Sequence, residues 1–186
     1  MVVDTILFGD CRQTLKEFDG KARTCVTSPP YYGLRDYGGE ESQIGQEQTP
    51  EEYIQNLVEV FRSVRDVLTD DGTLWVNIGD SYYNYRPGKG QALPKQTVSK
   101  TKQDLPDKCA KRGNKLEGLK EKDLIGIPWM LAFALRADGW YLRQDIIWHK
   151  PNPMPESVKD RCTKSHEYIF LLSKNRKYYY NNEAIK

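Results

Sequence analysis

The sequence predicts an α/β domain built on a mainly parallel sheet. Strand, helix and strand candidates follow one another within the first 30 residues. A long amphipathic helix over residues 49–68 then leads towards another apolar strand, and two more strands come late in the chain. Strands that alternate with helices need crossover connections, and crossovers make neighbouring strands parallel.

Taken in order, TILFGD (residues 5–10) is a short apolar run closed by Gly-Asp, and reads as the first strand. CRQTLKEF can make two helical turns with Leu15 and Phe18 on one side. Residues 23–27 form the second strand, and Pro29 and Pro30 stop it because proline cannot donate to a ladder. Thr49, Pro50 and Glu52 carry the start signals of the long helix: an N-cap, a first-turn proline and a capping box. Its stripe runs through Tyr53, Leu57, Val60, Phe61, Val64 and Leu68, at three- and four-residue steps. Asp70-Asp71-Gly72 reads as a turn, and TLWVNIG (73–79) as a strand. A helix over IPWMLAFALRA ends at Gly139; strands follow over 140–150 and 166–174, separated by a Pro-rich loop. Tyr178–Tyr180 begins a further extended piece.

Residues 85–122 break this pattern. They hold 11 bases against four acids, a local excess of +7, while the 186-residue chain carries only +2. Apolar residues are sparse there and show no period, so the segment reads as a long basic loop. It is either a solvated insertion or a loop that grips DNA through Lys100, Lys102, Lys111 and Arg112.

Composition narrows the class. The near-neutral balance excludes a polybasic protein without excluding a nucleic-acid partner. No apolar run approaches the ~18–20 residues of a bilayer span, and mean hydropathy is −0.74. The opening MVVDTILFGD lacks a basic leader, so no signal peptide is read. Four cysteines stand far apart with no CxxC pair, which predicts reduced thiols, no zinc site and a cytoplasmic location.

The sharpest chemical signal is TSPPYY at 27–32. The lone pair of an exocyclic amine is delocalised into its ring and attacks poorly. Acceptors on the amino hydrogens draw the nitrogen towards tetrahedral geometry and free that pair. The Ser28 hydroxyl and the Pro29 carbonyl, stiffened by Pro30, can be those acceptors. Tyr31 can stack on a base that has left its duplex. A Pro-Pro turn beside a packed tyrosine is the plainer reading of the same letters.

Around this motif the chain resembles the β group of DNA amino-methyltransferases. Their motif is [DNS]-PP-[YFW], here Ser28-Pro29-Pro30-Tyr31. ILFGDC, GLRDYG, IGQEQTPEEY, DGTLWVNIGDSYY and the stretch from Trp140 to Tyr180 are also similar to that group. The resemblance implies a Rossmann-like fold, its sheet mainly parallel with an antiparallel strand, and methyl transfer from S-adenosylmethionine to cytosine N4 or adenine N6 of a flipped base in double-stranded DNA. Serine in the first motif position leans towards cytosine. It implies that Asp10 meets the cofactor's adenine, and that Tyr32, Asp80, Trp148 and Lys150 serve the base or the DNA. It also implies a restriction–modification or phage setting in a bacterial cell. Amine methylation in protein or RNA is a third, less favoured reading.

One segment of that group has no counterpart. A DPFxGSGTT-type stretch, which holds the methionine part of the cofactor, is not found. The group's sheet order is 3-2-1-4-5-7-6. Residues 5–10, 23–27, 73–78, 141–148 and 166–173 would be strands 3, 4, 5, 6 and 7, leaving the two central strands missing. The expectation is an incomplete catalytic domain over 1–186. A complementary cofactor-binding polypeptide fills the gap, or the N-terminal strand docks differently, or the chain is a silent fragment that at most binds DNA or a partner.

Overall fold

The computed structural model describes residues 4–34, 43–83, 116 and 118–186. Helix α1 (Cys11–Glu17) precedes strand β1 (Ala22–Thr27). Helix α2 (Pro50–Val67) runs into β2 (Leu68–Ile78) with no residue between them. Helix α3 (Ile127–Ala137) precedes β3 (Tyr141–His149) and β4 (His166–Ser173), and a short 3-10 turn covers Asn182–Ile185.

The four strands lie in the order β1-β2-β4-β3. β1 and β2 are parallel, and β4 is antiparallel to both β2 and β3. Three strands therefore share one direction and β4 alone opposes them. This is the expected order of strands 4, 5, 7 and 6.

Sequence explains the helices. The capping box forms as read: the Thr49 side chain accepts from the Glu52 backbone, and the Glu52 carboxylate accepts from Thr49. The α2 stripe, with Tyr53, Leu57 and Phe61 buried, packs with Leu131 and Leu135 of α3 in one core. Leu74, Val76 and Ile78 of β2 enter that core beside Phe170 and Leu172 of β4. The Arg62 guanidinium, and the Arg65 guanidinium behind it, hold Asp138 at the end of α3 against α2.

Two expectations need correction. Residues 5–10 form no strand: Ile6 is 78% and Phe8 89% exposed, and β1 is the outer strand of the described sheet. A six-residue apolar run becomes a strand only where a neighbour accepts its hydrogen bonds, and among the described residues no strand lies beside it. Asp70-Asp71-Gly72 does not separate two elements. It lies inside β2, where the register with β1 jumps from Ala22–Leu68 to Thr24–Thr73. The excursion is held from the C-terminal side: Asn175 donates to the Asp70 carbonyl (2.8 Å), and Tyr179 N–H to that of Asp71 (3.0 Å). Tyr178–Tyr180 accordingly follow β4 as chain tied to β2 through Tyr179 rather than as another strand.

Candidate active site

The sheet gathers one end of all four strands. Parallel β1 and β2 finish side by side, with Thr27 opposite Val76, and β3 finishes at His149. Because β4 runs the other way, its first residues arrive at the same end: Tyr168 lies opposite Ile78, and Glu167 opposite Trp148. Ser28–Tyr31, Asn77–Asp80, Trp148–Lys150 and Glu167 thus share one rim. Carboxyl ends of parallel strands are where α/β sheets place their ligands.

Ser28 is exposed and Pro29 buried. Behind them the loop is pinned from α2: Tyr53 donates its hydroxyl to the Pro30 carbonyl at 2.7 Å. The Pro29 carbonyl is not the one taken. A second brace comes from the segment before α2, where Gly33 N–H bonds the Gly45 carbonyl at 2.8 Å. Glu47 steadies that segment by accepting from Gly45 N–H and from Asn56, both at 2.8 Å.

Tyr31 is half-buried. Its hydroxyl donates to Glu167 Oε2 at 3.1 Å and approaches Asn77 Oδ1 at 3.3 Å. A methyl group on Gly79 would lie 2.7 Å from the Tyr31 ring, so only glycine lets the ring settle there. Burial raises the Tyr31 phenol, the Glu167 carboxylate raises it further, and Ser28 opposes them. Glu167 also pairs with the Lys150 ammonium. Burial pushes Glu167 up, but bonds from Lys150, Tyr31 and Asn77 outweigh it and leave the carboxyl below its usual range.

Other expected site residues are engaged differently. Asp10 is the N-cap of α1. Its carboxylate accepts from Arg12 N–H (2.8 Å) and grips the Arg12 guanidinium, which holds it below the ordinary carboxylate range. The expected adenine acceptor is therefore already bonded within its own turn. Asp80 is likewise occupied. It accepts from the backbone of Ser81, Gly126 and Ile127 at 2.9–3.1 Å, capping α3. Gly126, with φ of 89°, has no side chain to make that cap. Tyr32 lies against Tyr53, ring centroids 5.4 Å apart, and burial with three nearby glutamates pushes its phenol up to about 12. Trp148 stays half-exposed, with the Lys150 ammonium 5.8 Å from its ring centre. Lys100, Lys102, Lys111 and Arg112 lie outside the described residues.

Asn77, Glu167 and the hydroxyl of Tyr53 join the site without being marked by any motif. The signal for Glu167 is faint: a charge opening an otherwise apolar strand. Lys164 reads in the sequence as a surface residue or DNA contact, yet its ammonium nitrogen is buried without a hydrogen-bond partner among the described residues. Burial holds its pKa down against the pull of Asp80, Glu167 and Glu156.

A family model described as DNA methylase matches residues 22–186. The chain belongs to this DNA methylase family. It is 54% identical to the type II methyltransferase M.SmaI of Serratia marcescens, over 97% of this chain and 59% of that protein. It is 52% identical to M.Cfr9I of Citrobacter freundii, over 98% of this chain and 58% of that one. The chain thus spans less than two thirds of the relatives it matches. Its fold is like that of PvuII DNA methyltransferase, a cytosine-N4-specific enzyme, at a TM-score of 0.61 and 16% identity. That match covers 95% of this chain and 51% of the other. A DNA modification methylase of Thermus thermophilus, described as putative and solved with S-adenosyl-L-methionine, is also similar: TM-score 0.56, 20% identity, over 95% and 55% of the two chains.

Proposed function

We propose that this chain carries the base-handling half of a DNA amino-methyltransferase of a restriction–modification system, working in the bacterial cytoplasm. The observation that carries it is the Ser28–Tyr31 loop, fixed from α2 and from β4 at the carboxyl end of β1. Its substrate is double-stranded DNA with the target base turned out of the stack, and serine in the first motif position makes cytosine N4 the favoured atom, with adenine N6 the other. Among the described residues no helix is long and apolar enough to cross a membrane.

Ser28 Oγ and the Pro29 carbonyl accept from the two amino hydrogens and localise the nitrogen lone pair. S-adenosylmethionine, when bound, supplies the electrophilic methyl group. The described residues fit that cofactor only in part. Asp10 is held by Arg12, and the nearby hollow of about 500 Å³, lined by Ile6, Leu7, Phe8 and Phe18 beside Glu17 and Asp19, is largely apolar. The remaining contacts would come from polypeptide that pairs with β1, the outer strand among the described residues, either more of the same chain or a complementary one. The basic segment 85–122 is proposed to follow the DNA backbone, with Lys150 adding a phosphate contact once it leaves Glu167.

A second reading, a silent fragment that only binds DNA or a partner, is favoured by the tied Asp10. A labelled-methyl assay on unmethylated DNA separates the two, run with this chain alone and with the cofactor-binding half of a relative added. Transfer that Ser28→Ala abolishes, with DNA affinity retained, is the expected result. Transfer unchanged by Ser28→Ala would remove the assigned site, and none under either condition would leave the silent reading standing.

A further inference from the structure

The Tyr31 hydroxyl stands at the far end of its ring from the backbone, and two strands reach it there. Asn77 on β2 offers Oδ1 at 3.3 Å, and Glu167 on β4 offers Oε2 at 3.1 Å. Asn77 lies opposite Ile169 in the ladder and Glu167 is two residues along β4, so both side chains leave one face of the sheet as diagonal neighbours. Neither acceptor is loose. Asn77 donates its amide nitrogen to the Tyr168 carbonyl at 3.2 Å, which turns Oδ1 towards the ring. Glu167 gives its other oxygen to the Lys150 ammonium. A methyl group on Gly79 would come within 2.7–3.4 Å of Cδ2, Cε2 and Cζ of Tyr31, so bare backbone supports that side of the ring.

We infer that Asn77 and Glu167 are positioning residues that hold the axis of the Tyr31 ring, and so the surface on which the turned-out base stacks. This rests on the proposed methyl transfer. A ring held only at its Cβ end swings through an arc that is widest at the hydroxyl, and a base stacked on it swings too. Methyl transfer needs the reacting atoms about 3–3.5 Å apart and aligned, and a displacement of about 1 Å can cost roughly 10²-fold in rate. Bonds at the hydroxyl restrain that arc, while Gly79 sets which way the ring faces. The phenol has one proton for two acceptors, and an ionised carboxylate holds it more strongly than an amide oxygen does. Glu167 is therefore the main anchor and Asn77 the second.

The test is Tyr31→Phe, which keeps the ring and removes only the hydroxyl, leaving the Glu167–Lys150 pair and the Asn77–Tyr168 bond in place. In the methyl-transfer assay, with the cofactor-binding half of a relative added, kcat should fall about tenfold to a hundredfold, the scale of one hydrogen bond to a charged group, with DNA affinity unchanged. Glu167→Gln, which keeps an acceptor oxygen, should lose less kcat than Glu167→Ala. Added to Tyr31→Phe, Glu167→Gln should cost nothing more, because the ring has no hydroxyl left to hold. A second readout uses this chain alone, with tyrosine ¹³C-labelled at Cζ. The Tyr31 signal, assigned by its absence in Tyr31→Phe, should shift in Glu167→Gln. Parent turnover in Tyr31→Phe, losses that multiply in the double variant, or an unmoved Tyr31 signal would overturn the inference. A parent enzyme that transfers no methyl group would instead refute the proposed function, and the tyrosine signal would still decide whether Glu167 holds the ring.

Discussion

Tyr53 and Pro30 meet across 23 positions of sequence through one hydrogen bond of 2.7 Å, from the tyrosine hydroxyl to the proline carbonyl. Tyr53 is fully buried, and burial moves its phenol above its usual range, so it remains a donor at neutral pH. Removing only the hydroxyl, in Tyr53→Phe, should cost about 1 kcal/mol of stability in urea unfolding. Turnover should fall further than that loss alone implies, because the loop bearing Ser28 loses its brace. Wild-type turnover in a folded variant would show that the loop holds itself.

Asp80 gives α3 the cap that Gly126 cannot. Asp80→Ala should destabilise the fold by about 0.5–2 kcal/mol, while Asp80→Asn, which keeps an acceptor oxygen, should cost less. Urea midpoints of the two variants check this ordering. Equal losses would mean that the carboxylate acts through its charge and not as a cap.

Lys164 supplies a pH signature. Its ammonium is buried without a hydrogen-bond partner among the described residues, near Asp80, Glu167 and Glu156, with Arg161 repelling it, and burial lowers its pKa in the folded chain. The unfolded chain therefore binds more protons in the interval between that lowered value and the ordinary lysine value of 10.5. Stability contributed by this group rises with pH across that interval. Lys164→Met should raise the melting temperature near neutrality and flatten the rise. Melting curves from pH 7 to pH 10 test it, and a lower melting temperature in the variant would show that the ammonium has found a partner.

The basic segment makes a separate prediction about salt. Neutralising Lys100, Lys102, Lys111 and Arg112 should flatten the log–log salt dependence of DNA binding by roughly 0.9 for each phosphate that is no longer neutralised. An unchanged slope in a fluorescence titration would assign the segment to solvated surface.

Much of the fold was legible because its signals are local. Thr49, Pro50 and Glu52 mark the start of α2 without reference to anything else, and the stripe from Tyr53 to Val64 announces its buried face. The strand order followed from the resemblance, and the observed sheet agrees with it. What failed depended on partners distant in sequence. Residues 5–10 have strand composition but no neighbouring strand among the described residues, and the Asp70–Gly72 turn stays inside β2 because Asn175 and Tyr179 hold its carbonyls. Ser28 to Tyr31 could be found from their motif. Glu167 could not, since its role exists only where β4 runs antiparallel and returns its first residues to the rim where β1 ends.

The seamless passage from α2 into β2 bears on how such a protein can change over time. Leu68 is buried, its N–H closes the last turn on the Val64 carbonyl, and its own carbonyl accepts from Lys174 at 2.8 Å. One residue added after Val67 would turn the helix about 100° relative to the strand and carry Tyr53 away from Pro30. Substitution at the exposed positions of α2 is therefore open to such a protein, while insertion or deletion at the junction is not. Homologues aligned over residues 50–69 should vary at the exposed positions, hold the buried ones apolar and keep the length without a gap.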